Sequence, residues 1–181
     1  MEKPSGILVF GANGSGKTTL AHELAHILGF RHMDIEAYCF EESPIPYTIA
    51  RAREDYTKLL LADIEKYRSF VLSAVDGDLG DTIPQYYNLA VYMTAPLDLR
   101  LARVKQRSYD QHGSRTLKGG DMYAQEQAFF NFVASRSLSR MEQWAETLVC
   151  PVVRVDGTIH WRENAAHIKE VFHAMKCTHE G

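Results

Sequence analysis

Eight consecutive residues, Gly11-Ala12-Asn13-Gly14-Ser15-Gly16-Lys17-Thr18, satisfy the pattern G-x-x-x-x-G-K-[ST] at every fixed position. Their types point to one chemistry. Glycines let backbone N–H groups converge on phosphate oxygens without a Cβ in the way. The helix expected from Lys17 onward presents unpaired N–H groups and the positive end of its dipole to the same anion. Lys17 adds a mobile charge for the β- and γ-phosphates of a nucleotide, and the Thr18 hydroxyl is a ligand for Mg²⁺. Thr19, next on the helix, completes the nucleotide-binding set.

Carboxylates are the second requirement of phosphoryl transfer, to hold Mg²⁺ through its waters and to orient or deprotonate the acceptor. Two groups stand where strands should end: Asp34-Ile35-Glu36, and Asp76-Gly77-Asp78. Strand alternation places Asp34 and Glu36 on the same side. An apolar strand ending in an aspartate makes Asp76 a second candidate for the metal and Asp78 a candidate for the acceptor. Either pair can face the γ-phosphate, and either can be the turn residues common at strand ends. One further pattern competes for attention. His22-Glu23-Leu24-Ala25-His26 matches the zinc-binding H-E-x-x-H. It lies on the helix already committed to the phosphate loop, with Leu20, Leu24, Ile27 and Leu28 facing the sheet, so both histidines are expected in solvent.

These side chains must be held by an alternation of strands and helices. Apolar runs predict strands at residues 7–10, 31–35, 70–75, 89–93 and 151–155. Helical patterns cover residues 17–28, 47–67, 96–107, 122–148 and 160–175, with Pro96 suited to a first helical turn. Residues 109–121 are polar and glycine-rich, hence a loop. Trp144 and the pair Phe129-Phe130 are expected in the core or packed on the sheet. Strands that are apolar throughout imply a parallel sheet covered on both faces, an α/β fold of three layers. Ligands on such sheets bind beyond the carboxyl ends of the strands, where the loop and the carboxylates lie.

The chain of 181 residues suits one domain, and its 45% hydrophobic and 24% charged content excludes a disordered or collagen-like chain. Twenty basic against 23 acidic residues, a net charge of −3, argues against general nucleic-acid binding. Cys39, Cys150 and Cys177 form no CxxC pair, which argues against a disulfide framework and a structural zinc site. The apolar run at residues 7–10 is too short for a signal peptide or a membrane span, so no membrane partner and a reducing cytoplasm are expected.

With this loop and layout the chain resembles the small P-loop kinases: shikimate kinase, gluconate kinase and the nucleoside monophosphate kinases. The layout covers most of the chain, and the phosphate loop is its specific part. The resemblance implies a five-stranded sheet in the order 2-3-1-4-5, ATP and Mg²⁺ as ligands, and one domain over residues 1–181. Within it an acceptor-binding region falls at about residues 36–68 and a mobile lid at about residues 108–121. Asp34-x-Glu36 stands where shikimate kinases carry Asp-x-Asp, making Asp34 the metal-side or base carboxylate and Glu36 an acceptor contact. Arg107, Arg115 and Arg136, which border or occupy the lid, would close over ATP. The lid's basic side chains, Arg115 and Lys118, would repel one another until an anion arrives. Arg51 and Arg53 would hold an acceptor phosphate or carboxylate, or lie solvated at the surface. The loop at Asp156-Gly157-Thr158 would pack against adenine, or simply turn the chain with Thr158 capping the last helix.

The departures matter as well. The Gly-Gly-Gly segment of shikimate kinases is missing after the third strand. The Asp-Gly-Phe-Pro-Arg of adenylate kinases is matched only at Asp76-Gly77. The chain therefore sits with neither and closer to a branch labelled AAA-type ATPase. The expected activity is ATP-dependent transfer of the γ-phosphate to a small hydroxyl metabolite or nucleotide. An NTPase and a nucleotide-binding regulatory module are the alternatives. A lid favours the kinase, which must exclude water from the transferring group.

Overall fold

The computed structural model describes residues 3–179. Five parallel strands, β1 (Ser5–Phe10), β2 (Arg31–Asp34), β3 (Ser69–Ala74), β4 (Tyr87–Thr94) and β5 (Val152–Asp156), form one sheet in the order β2-β3-β1-β4-β5. Seven helices connect and cover them: α1 (Lys17–Leu28), α2 (Ile35–Cys39), α3 (Arg53–Tyr67), α4 (Leu97–His112), α5 (Tyr123–Ser135), α6 (Ser139–Glu146) and α7 (Trp161–His179). The α/β class and the strand order agree with the sequence expectation.

Alternation along each strand builds a core on both faces. Ile7, Val9, Val71 and Val91 pack under α1 and α7 against Leu20, Leu24, Ile168 and Phe172. Leu8, Phe10, Leu72 and Tyr92 face the other way, against Leu60 and Ile64 of α3 and Met141 and Ala145 of α6. Phe10 stacks on Tyr92 at 4.8 Å and receives the edge of Trp144 at 5.5 Å, so the partly buried Trp144 packs against the core. Full burial of side chains of this size contributes about 1.5–3 kcal/mol each, which makes the sheet the rigid base from which the loops project.

Four segments differ from the sequence expectation, each for a local reason. Ile35 leaves the strand, because the Asp34 carboxylate accepts the Glu36 N–H at 3.1 Å and caps the short α2. Glu36 is therefore helical, and the simple alternation that placed it beside Asp34 does not apply. Residues 47–52 are not helical. Phe40 bridges Ala50, and Arg51 Nη1 donates to the carbonyls of Ala37, Tyr38 and Phe40, folding residues 40–51 into a returning loop. Helix α4 runs on to His112, so the loop expected from residue 109 starts only at Gly113, with a 3₁₀ turn at Gly113–Thr116. The single helix expected over 122–148 is broken between α5 and α6. There the Ser137 and Ser139 hydroxyls pair at 2.8 Å and Ser137 Oγ accepts the Ser139 N–H, a local bond that competes with the helix.

Candidate active site

The phosphate loop joins β1 to α1 at the carboxyl end of the sheet. Gly14 has φ +80°, and a Cβ there would sit 2.3 Å from the Arg100 carbonyl oxygen. Only glycine lets the loop turn this tightly under α4. Gly16 precedes α1 and no side chain caps it, so the first N–H groups of a twelve-residue helix stay open to an anion. Inside the loop, Asn13 Oδ1 and Ser15 Oγ are buried without a hydrogen-bond partner. Orphaned polar atoms of this kind are costly in a finished fold and mark a place that a polar ligand completes.

Lys17 is only 8% exposed. Burial pushes its pKa below the ordinary lysine range, and Arg107 and Arg136 push the same way, while Glu36 and Asp34 oppose them. Four of the residues picked out from sequence thus act electrostatically on one ammonium group. Thr18 and Asp34 offer hydroxyl and carboxylate oxygens, the donors a hard divalent cation takes, and so fit Mg²⁺. Among the described residues no group of three or more His, Cys, Asp or Glu could hold a metal ion by itself. His22 and His26 are exposed, as expected for a solvated helix face.

A cleft of about 340 Å³ opens beside the loop, lined by Gly14, Gly16, Lys17, Thr18 and Thr19, and by Arg107 of α4. Sequence reasoning singled out the loop at Asp156-Gly157-Thr158 but missed Ile159 and Trp161 beyond it. Gly157, Ile159 and Trp161 border it from the loop after β5, with Ile159 and Trp161 both exposed. The Trp161 ring stacks on His160 at 3.8 Å. Asp156, the expected ligand here, instead has its carboxylate on the Thr158 N–H at 2.8 Å. Gly157 lines the cleft, and its position requires glycine, since a Cβ would lie 2.4 Å from the Ser15 carbonyl oxygen. Arg103 holds this junction together: its guanidinium donates to the carbonyls of Ser15 at 3.3 Å and Gly157 at 3.0 Å. An arginine one turn before Arg107, on the same face of α4, was the available signal.

The other predicted residues are dispersed. Gly11, Ala12, Asn13 and Ser15 form the buried part of the phosphate loop. Arg115 is not at the cleft; it forms a two-pronged ion pair with Asp121 at 3.0 and 2.8 Å, which also replaces the expected repulsion from Lys118 by a local partner. Arg136 pairs with Asp76 at 3.5 Å. Asp76 and Asp78 line a separate cleft with Arg136, Arg140 and Trp144, next to the phosphate loop, whose Gly11 N–H donates to the Val75 carbonyl at 3.2 Å. Arg53 lies on the Asp78 carbonyl at 3.1 Å, and Arg51 is consumed by three backbone carbonyls. Neither lines the cleft at the phosphate loop.

A second cleft of about 310 Å³ continues from the first, and Val104 and Arg107 line both. Glu36 stands in its wall with Phe40, Tyr47, Glu126 and Phe129. Phe129, expected in the core or packed on the sheet, lines this cleft, while its neighbour Phe130 is buried. Burial, followed by the adjacent Glu36 carboxylate, pushes the Tyr47 phenol up. Tyr47 also has φ +63°, a conformation that costs a tyrosine energy and that the returning loop imposes.

Comparison with known proteins supports this layout. A family model described as an AAA domain matches residues 7–128. Uncharacterized protein YqaC of Bacillus subtilis is 29% identical over 158 residues, 83% of this chain and 87% of that protein. The cytidylate kinase of Haloarcula marismortui is 28% identical over 131 residues, 66% of this chain and 68% of that protein. Among solved structures, shikimate kinase from Acinetobacter baumannii in complex with shikimate superposes with a TM-score of 0.56 at 16% identity, covering 95% of this chain and 94% of that one, a likeness of fold.

Proposed function

The chain belongs to the AAA-domain family within the P-loop kinase-like superfamily, and on that premise we propose that it transfers the γ-phosphate of ATP to the hydroxyl of a small molecule. One observation carries the reading. The cleft at the phosphate loop and the cleft beside Glu36 meet at Arg107, so a group passing from one to the other stays under its guanidinium.

In this reading the open N–H groups of the phosphate loop and Lys17 hold the β- and γ-phosphates, and Trp161 and Ile159 cover the base. Thr18 and Asp34 hold Mg²⁺, which neutralises phosphate charge when bound. The acceptor lies against Glu36. Its hydroxyl oxygen forms the new bond to the γ-phosphorus, the bond to the β–γ bridging oxygen breaks, ADP leaves, and the acceptor proton passes to the Asp34 carboxylate. Arg107 stabilises charge on the transferring group, since its planar donors and permanent charge suit phosphate oxygens. Arg136 adds to the positive field at Lys17 while tied to Asp76. The whole of residues 1–181 acts as one domain, with residues 36–68 forming the acceptor side. Residues 108–121 act as the lid, and Arg115 joins the site only by leaving Asp121.

Replacing Lys17 tests the assignment. Lys17→Ala keeps the loop's backbone and removes its charge, and losing one such electrostatic contact costs on the order of 10²–10³ in rate. The expected result is a loss of that size in ADP formation with folding intact by circular dichroism. Turnover within about tenfold of the parent contradicts the reading.

A further inference from the structure

The second cleft carries a charge pattern that selects among acceptors. Its floor is Glu126, 9% exposed, whose Oε2 accepts the Ser108 hydroxyl at 2.5 Å. Glu36 stands at the end nearest Lys17. The basic groups lining it are His112 and Arg107, and Arg107 also lines the nucleotide cleft, where the transferring phosphate needs it. Arg51 and Arg53 do not line it; they bond to backbone carbonyls and lie 3.9 Å from the Glu41 and Asp78 carboxylates. An acceptor bringing its own carboxylate or phosphate would meet two carboxyl groups, with His112 the one basic lining side chain not shared with the nucleotide cleft. Like charges so placed disfavour binding and select by exclusion.

The walls say what fits instead. Phe40 and Tyr47 meet edge to face at 5.4 Å, and Phe129 stands in the same cleft. Gln125 Nε2 donates to the Pro46 carbonyl at 3.3 Å and ties this wall to α5. Apolar ring faces with a few placed acceptors are the usual lining for a flat organic ligand. About 310 Å³ holds a molecule of one or two rings.

We propose that this cleft selects an uncharged or cationic hydroxylated heterocycle of nucleoside size, with Glu126 accepting its ring N–H or amino hydrogens and Glu36 meeting its hydroxyl. The inference rests on the phosphotransferase reading and narrows its acceptor.

ADP formation from ATP and Mg²⁺ is measured against a panel of nucleosides, their 5′-monophosphates, and hydroxy acids such as shikimate. The expected kcat/KM for the best nucleoside exceeds that for its monophosphate and for any hydroxy acid by about 100-fold, the discrimination of which a charge excluded from a site is capable. In Glu126→Gln the kcat/KM for that nucleoside should fall by about tenfold or more, mainly through KM. Trp161 fluorescence on titrating ADP reports that the variant is folded. Preference for monophosphates or hydroxy acids overturns the inference and leaves the transfer reading standing. If ADP binds but no acceptor of any charge stimulates ADP formation, the transfer reading falls and takes this inference with it.

Discussion

Arg103 is the residue whose replacement separates a structural tie from a transfer role. Its guanidinium joins the phosphate loop, at the Ser15 carbonyl, to the loop after β5, at the Gly157 carbonyl. Arg103→Met keeps most of the stem and removes both bonds, together with a longer one to the Gly14 carbonyl at 3.5 Å. A hydrogen bond from a charged donor is worth about 1.5–3 kcal/mol, and partial solvation of this half-buried side chain lowers the pair to about 2–3 kcal/mol in all. For a chain of this size each kcal/mol shifts Tm by about 2–4 °C, so Tm should fall by roughly 4–12 °C. ADP affinity should fall as well, because both carbonyls sit in loops that wall the nucleotide cleft. Arg107→Met is the comparison. Among the described residues the Arg107 guanidinium makes no hydrogen bond or ion pair, so its loss should leave Tm within about 2 °C of the parent and reduce phosphoryl transfer. Differential scanning calorimetry and ADP titration measure both quantities. If Arg103→Met leaves Tm and ADP affinity at parental values, the junction is not held by this side chain and the reasoning fails.

Two further outcomes follow from the same geometry. Asp34→Asn retains the cap on α2, since asparagine caps as well as aspartate, so stability and ATP affinity should stay near parental values while turnover drops by about 10²–10⁴, read by steady-state kinetics; a variant that loses ATP binding yet turns over normally at saturation shows the role misassigned. Burial holds Lys17 below its usual 10.5, and a bound triphosphate favours the charged form, so ADP or ATP binding should take up a proton once pH exceeds the depressed value, and affinity should fall as pH rises through it; calorimetry in buffers of different ionisation enthalpy at alkaline pH reads this uptake, and proton release there contradicts the buried ammonium.

What could be read from the chain was what is local in it. Gly11 to Thr18 are contiguous, so the loop, its lysine and the helix that follows are specified within eight residues, and apolar runs on both sheet faces gave the strands and their parallel class. Asp34 and Glu36 were legible as acidic residues at a strand end, though not as a cap and a helix residue, because that distinction depends on one side-chain hydrogen bond. Arg103, Gly157, Ile159 and Trp161 come together only when α4 and the loop after β5 meet over the phosphate loop, a contact across more than fifty residues of chain. Glu126, Ser108 and Phe129 likewise become a cleft wall only because α5 folds back on α4. Arg51 and Arg53 read as free cations in sequence, since nothing local announces that backbone carbonyls will claim them.

The most direct test follows the phosphorus. The protein is incubated with Mg²⁺ and ATP labelled in its γ-phosphate, with and without a pool of nucleosides, and the products are resolved by phosphorus NMR and chromatography. The account predicts that the label appears as a phosphomonoester on the acceptor, in amounts equal to the ADP formed, and that Lys17→Ala forms neither. Label recovered wholly as inorganic phosphate, at a rate the acceptor pool does not change, would contradict transfer and leave hydrolysis as the activity of the site.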